Sequence, residues 1–398
     1  MHFLKYLLFL TVFSIPFFSI LQAQESTYDH KYKFKAELKE LAAKDGQTAA
    51  FYLSSIGEYK EALRTWDSAV KKRTYKGFNS LKIDSILNVY HFKNAKNFVL
   101  QETTKVNYTI LNEAHHQPQH RIFAKSLLEE LYKQGFKNLA VETLSVKKKY
   151  KDTLLNQRKY PLMTSGSYSR EPQFGELIRT ALQLGFWVYP YDDMSDYNNR
   201  EINQAKNIIT GKKEGKTLIY GGFDHALEGK HPFWGKAMAE HLKILTGEDP
   251  LTINQIIFTE RSNAEYNHPL YNAIPELKVS RVLVDHTNSS YQIKQGKEGY
   301  YDIAIFHPKT SYIHNRPKWV KADDKEWVEI NISDFNIELP CQVLAFNIEE
   351  NYKEAVPMDI VEVSDKTKPF FLALPKGKTR IVVVDKNKNV NEFVKEVN

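Results

Sequence analysis

Residues 106–142 read VNYTILNEAHHQPQHRIFAKSLLEELYKQGFKNLAVE, and they hold one complete repeat unit of an α/β fold. Val106 to Leu111 is a short apolar run of strand type. A polar loop follows. Phe123, Leu127, Leu128 and Leu131 then recur at helical spacing, with Pro118 suited to the first turn of that helix and Gly135 to its end. Asn138 to Val141 is the next short apolar run. Strand, helix and strand within roughly 30–35 residues is the length of one parallel β-α-β crossover.

The same rhythm continues outward. Phe186 to Pro190, Thr217 to Gly221, Ile253 to Phe258, Arg281 to Val284 and Ile303 to Phe306 are further strand candidates. A second helix is read from Phe174, Leu177, Ile178, Ala181 and Leu182, closing at Gly185. Such alternation predicts an α/β fold over residues 97–314, with a mostly parallel central sheet flanked by helices, open or closed into a barrel. Residues 25–96 predict a helical lead-in. Ala49 to Ala69 is amphipathic with a turn at Gly57-Glu58-Tyr59, and faintly resembles one tetratricopeptide hairpin without a second copy. From 315 to 398 the texture turns to short β-runs, WVEINISDF, QVLAFNIEE, FFLALP and TRIVVVD, which predict a small β-sandwich.

The N-terminus carries a targeting signal. Met1 to Lys5 is a short basic region, Tyr6 to Leu21 is almost unbroken apolar sequence, and Gln22-Ala23-Gln24 is a small, polar cleavage region. Residues 1–24 therefore read as a signal peptide, with an uncleaved anchor helix as the rival, and the mature chain is expected in the periplasm or secreted. No cysteine stands near the cleavage region, so a lipoprotein anchor is excluded, and no later segment is apolar enough to span a membrane.

Across 398 residues, 42% are hydrophobic and 26% charged, which fits a globular chain and not a disordered one. The single cysteine, Cys341, rules out an intramolecular disulfide. A net charge of +7 is modest for this length. Basic runs occur at Lys147-Lys148-Lys149 with Lys151 and at Lys212-Lys213. They lack the stacking aromatics and recognised module of a nucleic-acid binder, so no nucleic-acid partner is expected. HExxH, paired CxxC, P-loop, GxSxG and GxGxxG motifs are all absent, which counts against zincin, nucleotide, serine-hydrolase and dinucleotide chemistry.

In parallel α/β folds the loops past the strand C-termini build the site. Those positions are loaded with polar groups here. The first strand runs into Asn112, Glu113, His115, His116, His120 and Arg121. The second ends in Glu142, the third in Tyr191-Asp192-Asp193, and the fourth in Gly222-Phe223-Asp224-His225. Glu260, Asp285-His286 and His307 follow the later ones, while His231 and His241 read as surface-helix positions. Near a helix N-terminus the dipole keeps an imidazole neutral, as a metal ligand or general base must be. Arg121 opposes that dipole at a cost of roughly 0.3–1 kcal/mol, which makes sense if it pairs with Glu113, Glu142 or an anion. The competing reading is a polar helix cap. Glu142 ends a buried strand and needs a partner, whether metal, proton or arginine. His115, His225 and a glutamate would form a two-imidazole, one-carboxylate site able to activate water on a divalent metal such as Mn, Co or Zn. The long basic connection from Lys147 to Arg170, ending TSGSYSREP, reads as a lid or substrate-binding segment, or else as an exposed insertion.

ILNEAHHQPQHRIFAKSLLEELYKQGFKNLAVET and LIYGGFDHA resemble the paired motifs of TraB/Tiki-type proteins, erythromycin esterases and ChaN-like haem-binding proteins. Glu113 and His115 match the first element, Glu142 the intervening glutamate, and Gly222 with His225 the second element. At Asn112 the sequence departs from the glycine usual in those families. The resemblance implies a parallel α/β core. It leaves the activity open, because members of those families include metal-dependent proteases, esterases and haem binders.

The expected function is thus an exported hydrolase acting on an ester or peptide bond of a small-molecule or peptide substrate, with or without a metal. His115 would be base or ligand, Glu113 and Glu142 water activators or ligands, His225 ligand or transition-state donor, and Arg121 an anion clamp. The alternatives are a haem- or iron-binding protein with His115, His116 or His120 as axial ligand, and a non-catalytic envelope binding module.

Overall fold

The computed structural model describes residues 28–70, 75, 77–147, 149–321 and 324–398. The signal-peptide reading of residues 1–24 falls outside them. Among the described residues no helix is long and apolar enough to cross a membrane.

Eight strands form the central sheet: β1 (His91–Asn94), β2 (Tyr108–Glu113), β3 (Phe136–Val141), β4 (Trp187–Pro190), β5 (Lys216–Gly222), β6 (Leu251–Phe258), β7 (Arg281–Val284) and β8 (Ile303–Phe306). Their spatial order is β1-β7-β8-β6-β2-β5-β3-β4. The six from β8 to β4 are mutually parallel. The sheet is open, mostly parallel and covered on both faces.

Alternation along the strands supplies the two cores. Leu111, Leu139, Leu218 and Ile253 point to one face, against Phe98 and Val99 of α5 (Ala95–Glu102), Leu127 and Leu131 of α6 (Gln119–Lys133), and Leu177 and Ile178 of α7 (Pro172–Leu184). Ile110, Ala140 and Ile219 point to the other. There they meet Ile86 of α4 (Ser80–Val89), Ala205 and Ile208 of α8 (Arg200–Gly211), and Met238 and Leu242 of α9 (Met238–Thr246). The punctuation works as read: Pro118 caps α6, Gly135 follows it at φ 91°, and Gly185 closes α7 at φ 97°.

Two features depart from the expected pattern. β1 comes from the nominally helical lead-in and pairs antiparallel with β7 at the sheet edge. β7 itself runs antiparallel to β8. The link from Phe258 to Arg281 holds only a three-residue 3-10 turn, Ala264–Tyr266, and the five-residue helix Pro269–Ala273, too little to carry the chain back across the sheet. Hence β7 starts at the end where β6 finishes. Asp285 and His286 consequently sit at the opposite end of the sheet from the other strand-end groups, where Asp285 organises a turn with Thr287 and Ser289.

The lead-in forms α1 (Lys35–Ala42), α2 (Gly46–Ser55) and α3 (Tyr59–Ala69). After the sheet come β9 (Lys325–Ile330), β10 (Cys341–Asn347), β11 (Asp359–Val363), β12 (Phe370–Pro375), β13 (Gly377–Asp385) and β14 (Val390–Val397). These make two antiparallel sheets, β9-β12 and β11-β10-β13-β14. Val343, Ala345, Ile381 and Val383 face Ile330, Leu372 and Leu374 across a shared core that also buries Cys341. Leu344, Phe346, Val382 and Val384 point the other way and bury Leu38, Leu53, Ile56 and Ala62 of the lead-in.

Candidate active site

β2, β5, β3 and β4 lie side by side, so their C-terminal ends deliver Glu113, Gly222, Glu142 and Asp192 to one place. Glu113 is paired in register with Gly222. Above them opens a cavity of about 930 Å³, walled by Phe51, Tyr52, Trp66, Tyr168, Phe223 and Trp234.

Glu113 is fully enclosed. Arg121 grips it with two parallel hydrogen bonds, Nε to Oε2 and Nη2 to Oε1, each 2.7 Å. The Tyr220 hydroxyl donates to Oε2 at 2.9 Å. Arg121 also donates to Glu171 Oε2 at 2.8 Å and to the His115 carbonyl at 2.8 Å. Burial alone would raise the Glu113 pKa, but Arg121 and His115 outweigh it and hold the carboxyl well below its usual range. For Glu171 burial prevails over Arg121 and the pKa rises. One guanidinium thus serves two buried carboxyls and secures the ionised form of the first. Arg121 is a structural clamp on Glu113, not a free anion-binding group.

Because Glu113 is a carboxylate, the proton between it and His115 belongs to the imidazole, and His115 Nδ1–H donates to Glu113 Oε1 at 2.9 Å. That fixes the tautomer and leaves Nε2 with a lone pair facing the cavity. The ring is clamped, stacked on Tyr168 at 3.7 Å between centroids and edge-on to Phe223 at 5.1 Å.

Glu142 and His225 form the other half. Gly222 N–H donates to Glu142 Oε2, and Arg200 Nη2 donates to Oε1 at 2.9 Å while also binding Asp192. His225 Nδ1–H donates to Glu201 Oε2 at 2.9 Å, and its Nε2 stands 3.6 Å from Glu142 Oε1. Burial works against a charge on His225. Glu142 and Glu201 outweigh it, and the pKa is raised. A Cβ built on Gly222 would lie 2.5 Å from His115 Nε2 and 3.2 Å from Glu142 Oε2. Gly222 is therefore the floor on which the two halves meet, and a Cβ there would displace the His115 ring.

Five of the residues singled out from sequence, Glu113, His115, Arg121, Glu142 and His225, thus come together. Others do not. His116 stacks on Trp66 at 4.1 Å and is turned away from the cavity. His120 accepts from the Ala114 N–H at 3.1 Å and lies 5.2 Å from the His307 ring. Burial lowers both pKa values, that of His120 to about 3, so they are neutral core imidazoles. Glu260 binds the Thr310 N–H outside the cavity. His231 is buried in a hairpin and bonded to Asp224 at 3.2 Å, not on a surface helix. Asn112 is a buried bridge: it donates to the Phe223 carbonyl and accepts from the Gln255 N–H, both at 2.8 Å. It thereby holds Phe223 in a left-handed conformation, φ 48°.

Sequence reasoning missed Arg200, Glu201, Tyr168 and Trp66. Arg200 carried a usable signal, the one that marked Arg121: an arginine in the first turn of a helix, against the dipole. Trp66 carried none, because it arrives from α3. The Lys147–Arg170 connection lines the cavity, and its Ser165-Gly166-Ser167 segment is pinned. Ser165 bonds Asp152 and the Leu162 N–H, and Ser167 N–H donates to the Thr143 carbonyl.

His115, Glu142 and His225, read as metal ligands, meet, but their donors suit a cation poorly. Both Glu142 oxygens are engaged, and the Arg200 guanidinium stands where a divalent ion would neutralise that carboxylate. Among the described residues no group of three or more His, Cys, Asp or Glu side chains is arranged to hold a metal.

No protein-family model matches the chain, and no curated protein matches it. Among solved structures it is similar to the type III effector HopBA1, at 14% identity and TM-score 0.31, over 46% of this chain and 95% of that one. It is also similar to RRSP, a MARTX toxin effector domain from Vibrio vulnificus, at 16% identity and TM-score 0.28, over 52% and 44%. A third structure, titled bacterial protein toxins, matches at 12% identity and TM-score 0.28, over 52% and 45%. The chain spans less than half the length of the latter two.

Proposed function

We propose that the chain is an exported hydrolase that cleaves an ester or peptide bond with a paired His/Glu site. One observation carries this reading: His115 and His225 are each oriented through Nδ1 by a carboxylate, and both aim Nε2 at the Glu142–Gly222 floor of a single cavity. His225 Nε2 stands beside the Glu142 carboxylate, which favours its protonated form and suits it to donate a proton, while the His115 tautomer leaves Nε2 free to accept one.

His115, locked as the Nδ1–H tautomer, takes a proton on Nε2 from a water molecule above Gly222 as that oxygen attacks the scissile carbonyl carbon. His225, whose carboxylate neighbours favour its protonated form, offers Nε2–H to the developing oxyanion and then to the leaving group as the C–O or C–N bond breaks. Glu142 with Arg200 holds the charge balance between them. The scheme needs no metal. Of the three imidazoles that could ligate haem, His116 and His120 are turned into the core, and only His115 reaches the cavity.

The test is a screen of chromogenic esters and fluorogenic peptides, run with and without EDTA, on wild type, His115→Ala and His225→Gln. Hydrolysis that survives EDTA and falls at least about 100-fold in each variant is the expected result. Activity abolished by EDTA and restored by Mn, Co or Zn would replace it with the metal-assisted scheme. No turnover of any substrate would overturn the hydrolase reading.

A further inference from the structure

The charges lining the cavity are unevenly spent. On the floor every carboxylate has a partner: Glu142 holds Arg200 and the Gly222 N–H, and Asp192 holds Arg200 and Gln204. On the wall built by the 147–170 connection the imbalance runs the other way. Arg170 uses only Nε, donating to the Met163 carbonyl at 2.9 Å. Among the described residues no carboxylate lies within ion-pair distance of its guanidinium or of Lys147, and both line the cavity.

The rest of the lining is apolar where it reaches solvent. Tyr150 is 58% exposed, Met194 54% and Trp234 49%, and all three border the opening. Large apolar side chains left uncovered around a pocket mark a surface that a ligand covers. Aromatic walls with two cations that make no close ion pair, Lys147 meeting Asp193 only at longer range, match a molecule that is apolar along its body and negative at one end.

We propose that the cavity takes an amphiphilic anion, its apolar body against Tyr52, Tyr150 and Trp234 and its anionic headgroup held by Lys147 and Arg170. This rests on the hydrolase reading for its placement of the scissile bond over Gly222, and it names the substrate class: esters or amides bearing a carboxylate, phosphate or sulfonate away from the cleaved bond.

Two fluorescent probes separate the contributions, anilinonaphthalene sulfonate and N-phenylnaphthylamine, which share their rings and differ by the sulfonate. Wild type is expected to bind the sulfonate roughly two- to fivefold more tightly, the worth of one exposed ion pair. The Lys147→Gln/Arg170→Gln variant removes that preference and leaves the neutral probe unchanged. Tyr150→Ala weakens both probes, and Lys212→Gln/Lys213→Gln, elsewhere on the surface, alters neither. Equal affinity of wild type for the two probes, or a preference that survives the double replacement, overturns the proposal. Binding is read without turnover, so the two readings fail separately. Headgroup preference in a protein that cleaves no ester sinks the hydrolase reading alone, and ester cleavage without headgroup preference sinks this one alone.

Discussion

Gly222 is the residue on which the site turns, because a methyl group there would stand 2.3 Å from His115 Cε1. Gly222→Ala is expected to lower kcat/KM at least about 100-fold by displacing His115 from its attack geometry. The obstructed atoms belong to a side chain that can swing into the cavity, so the melting temperature should drop only a few degrees. Equal losses of activity and fold would refute this. His225 makes a pH prediction. Its folded pKa is raised, so its contribution is fully present below the unfolded value of about 6.5 and disappears as pH rises through the folded pKa. The stability difference between wild type and His225→Gln, measured by urea unfolding, should be largest near pH 5–6 and shrink toward pH 9. A gap that widens with pH would show that the Glu142 and Glu201 contacts do not favour the charged ring. Glu113, His115, Glu142 and His225 were legible because strand ends in a parallel sheet converge. Their division of labour was not, since it depends on which carboxylate meets which Nδ1, and Glu201 lies on a helix that no strand-end rule reaches.

α6 brings Arg121 to Glu113 and Glu171, and α7 begins with Glu171 accepting the Phe174 N–H at 2.9 Å. The ion cluster therefore ties the starts of two helices to the end of β2. Arg121→Met leaves two buried carboxyls without a cation and should cost about 3–5 kcal/mol in urea unfolding. A loss under 1 kcal/mol would mean that both carboxyls are held neutral. α3 makes a subtler contribution. Trp66 lies between His116 and Phe223, at 4.1 and 5.4 Å, so Trp66→Ala should reduce activity together with stability, by about 3 kcal/mol or more. Trp66→Phe should retain most of both. Seven of the eight sheet strands are visible in the sequence as apolar runs. The eighth, His91–Asn94, is a four-residue edge strand of alternating exposure with no such run. The reversed direction of β7 is a property of its connection, which residue patterns describe only as length.

Across the whole molecule, the sheet and the C-terminal β-sandwich are joined by charge as well as by apolar contact. Arg179 of α7 donates from Nε to Glu350 Oε1 at 2.7 Å, reaches Glu176 at 3.1 Å, and also binds the Val356 carbonyl. Lys325 of β9 lies 3.1 Å from Glu176. Calorimetry should accordingly give one cooperative transition for wild type. In Arg179→Met the β-sandwich should melt earlier and the transition should broaden or split. Two resolved transitions in wild type would show that the contact does not couple the halves. The lead-in helices lie between these halves and bury Leu38, Leu53 and Ile56 against Leu344, Phe346 and Val382. α1 and α2 thus find their partners only in strands far later in the chain. Until β13 has been synthesised, an apolar face of α1 and α2 stays uncovered while the α/β body is already assembling. A chain built this way keeps apolar surface open while it is being made, the situation in which chaperones bind nascent proteins.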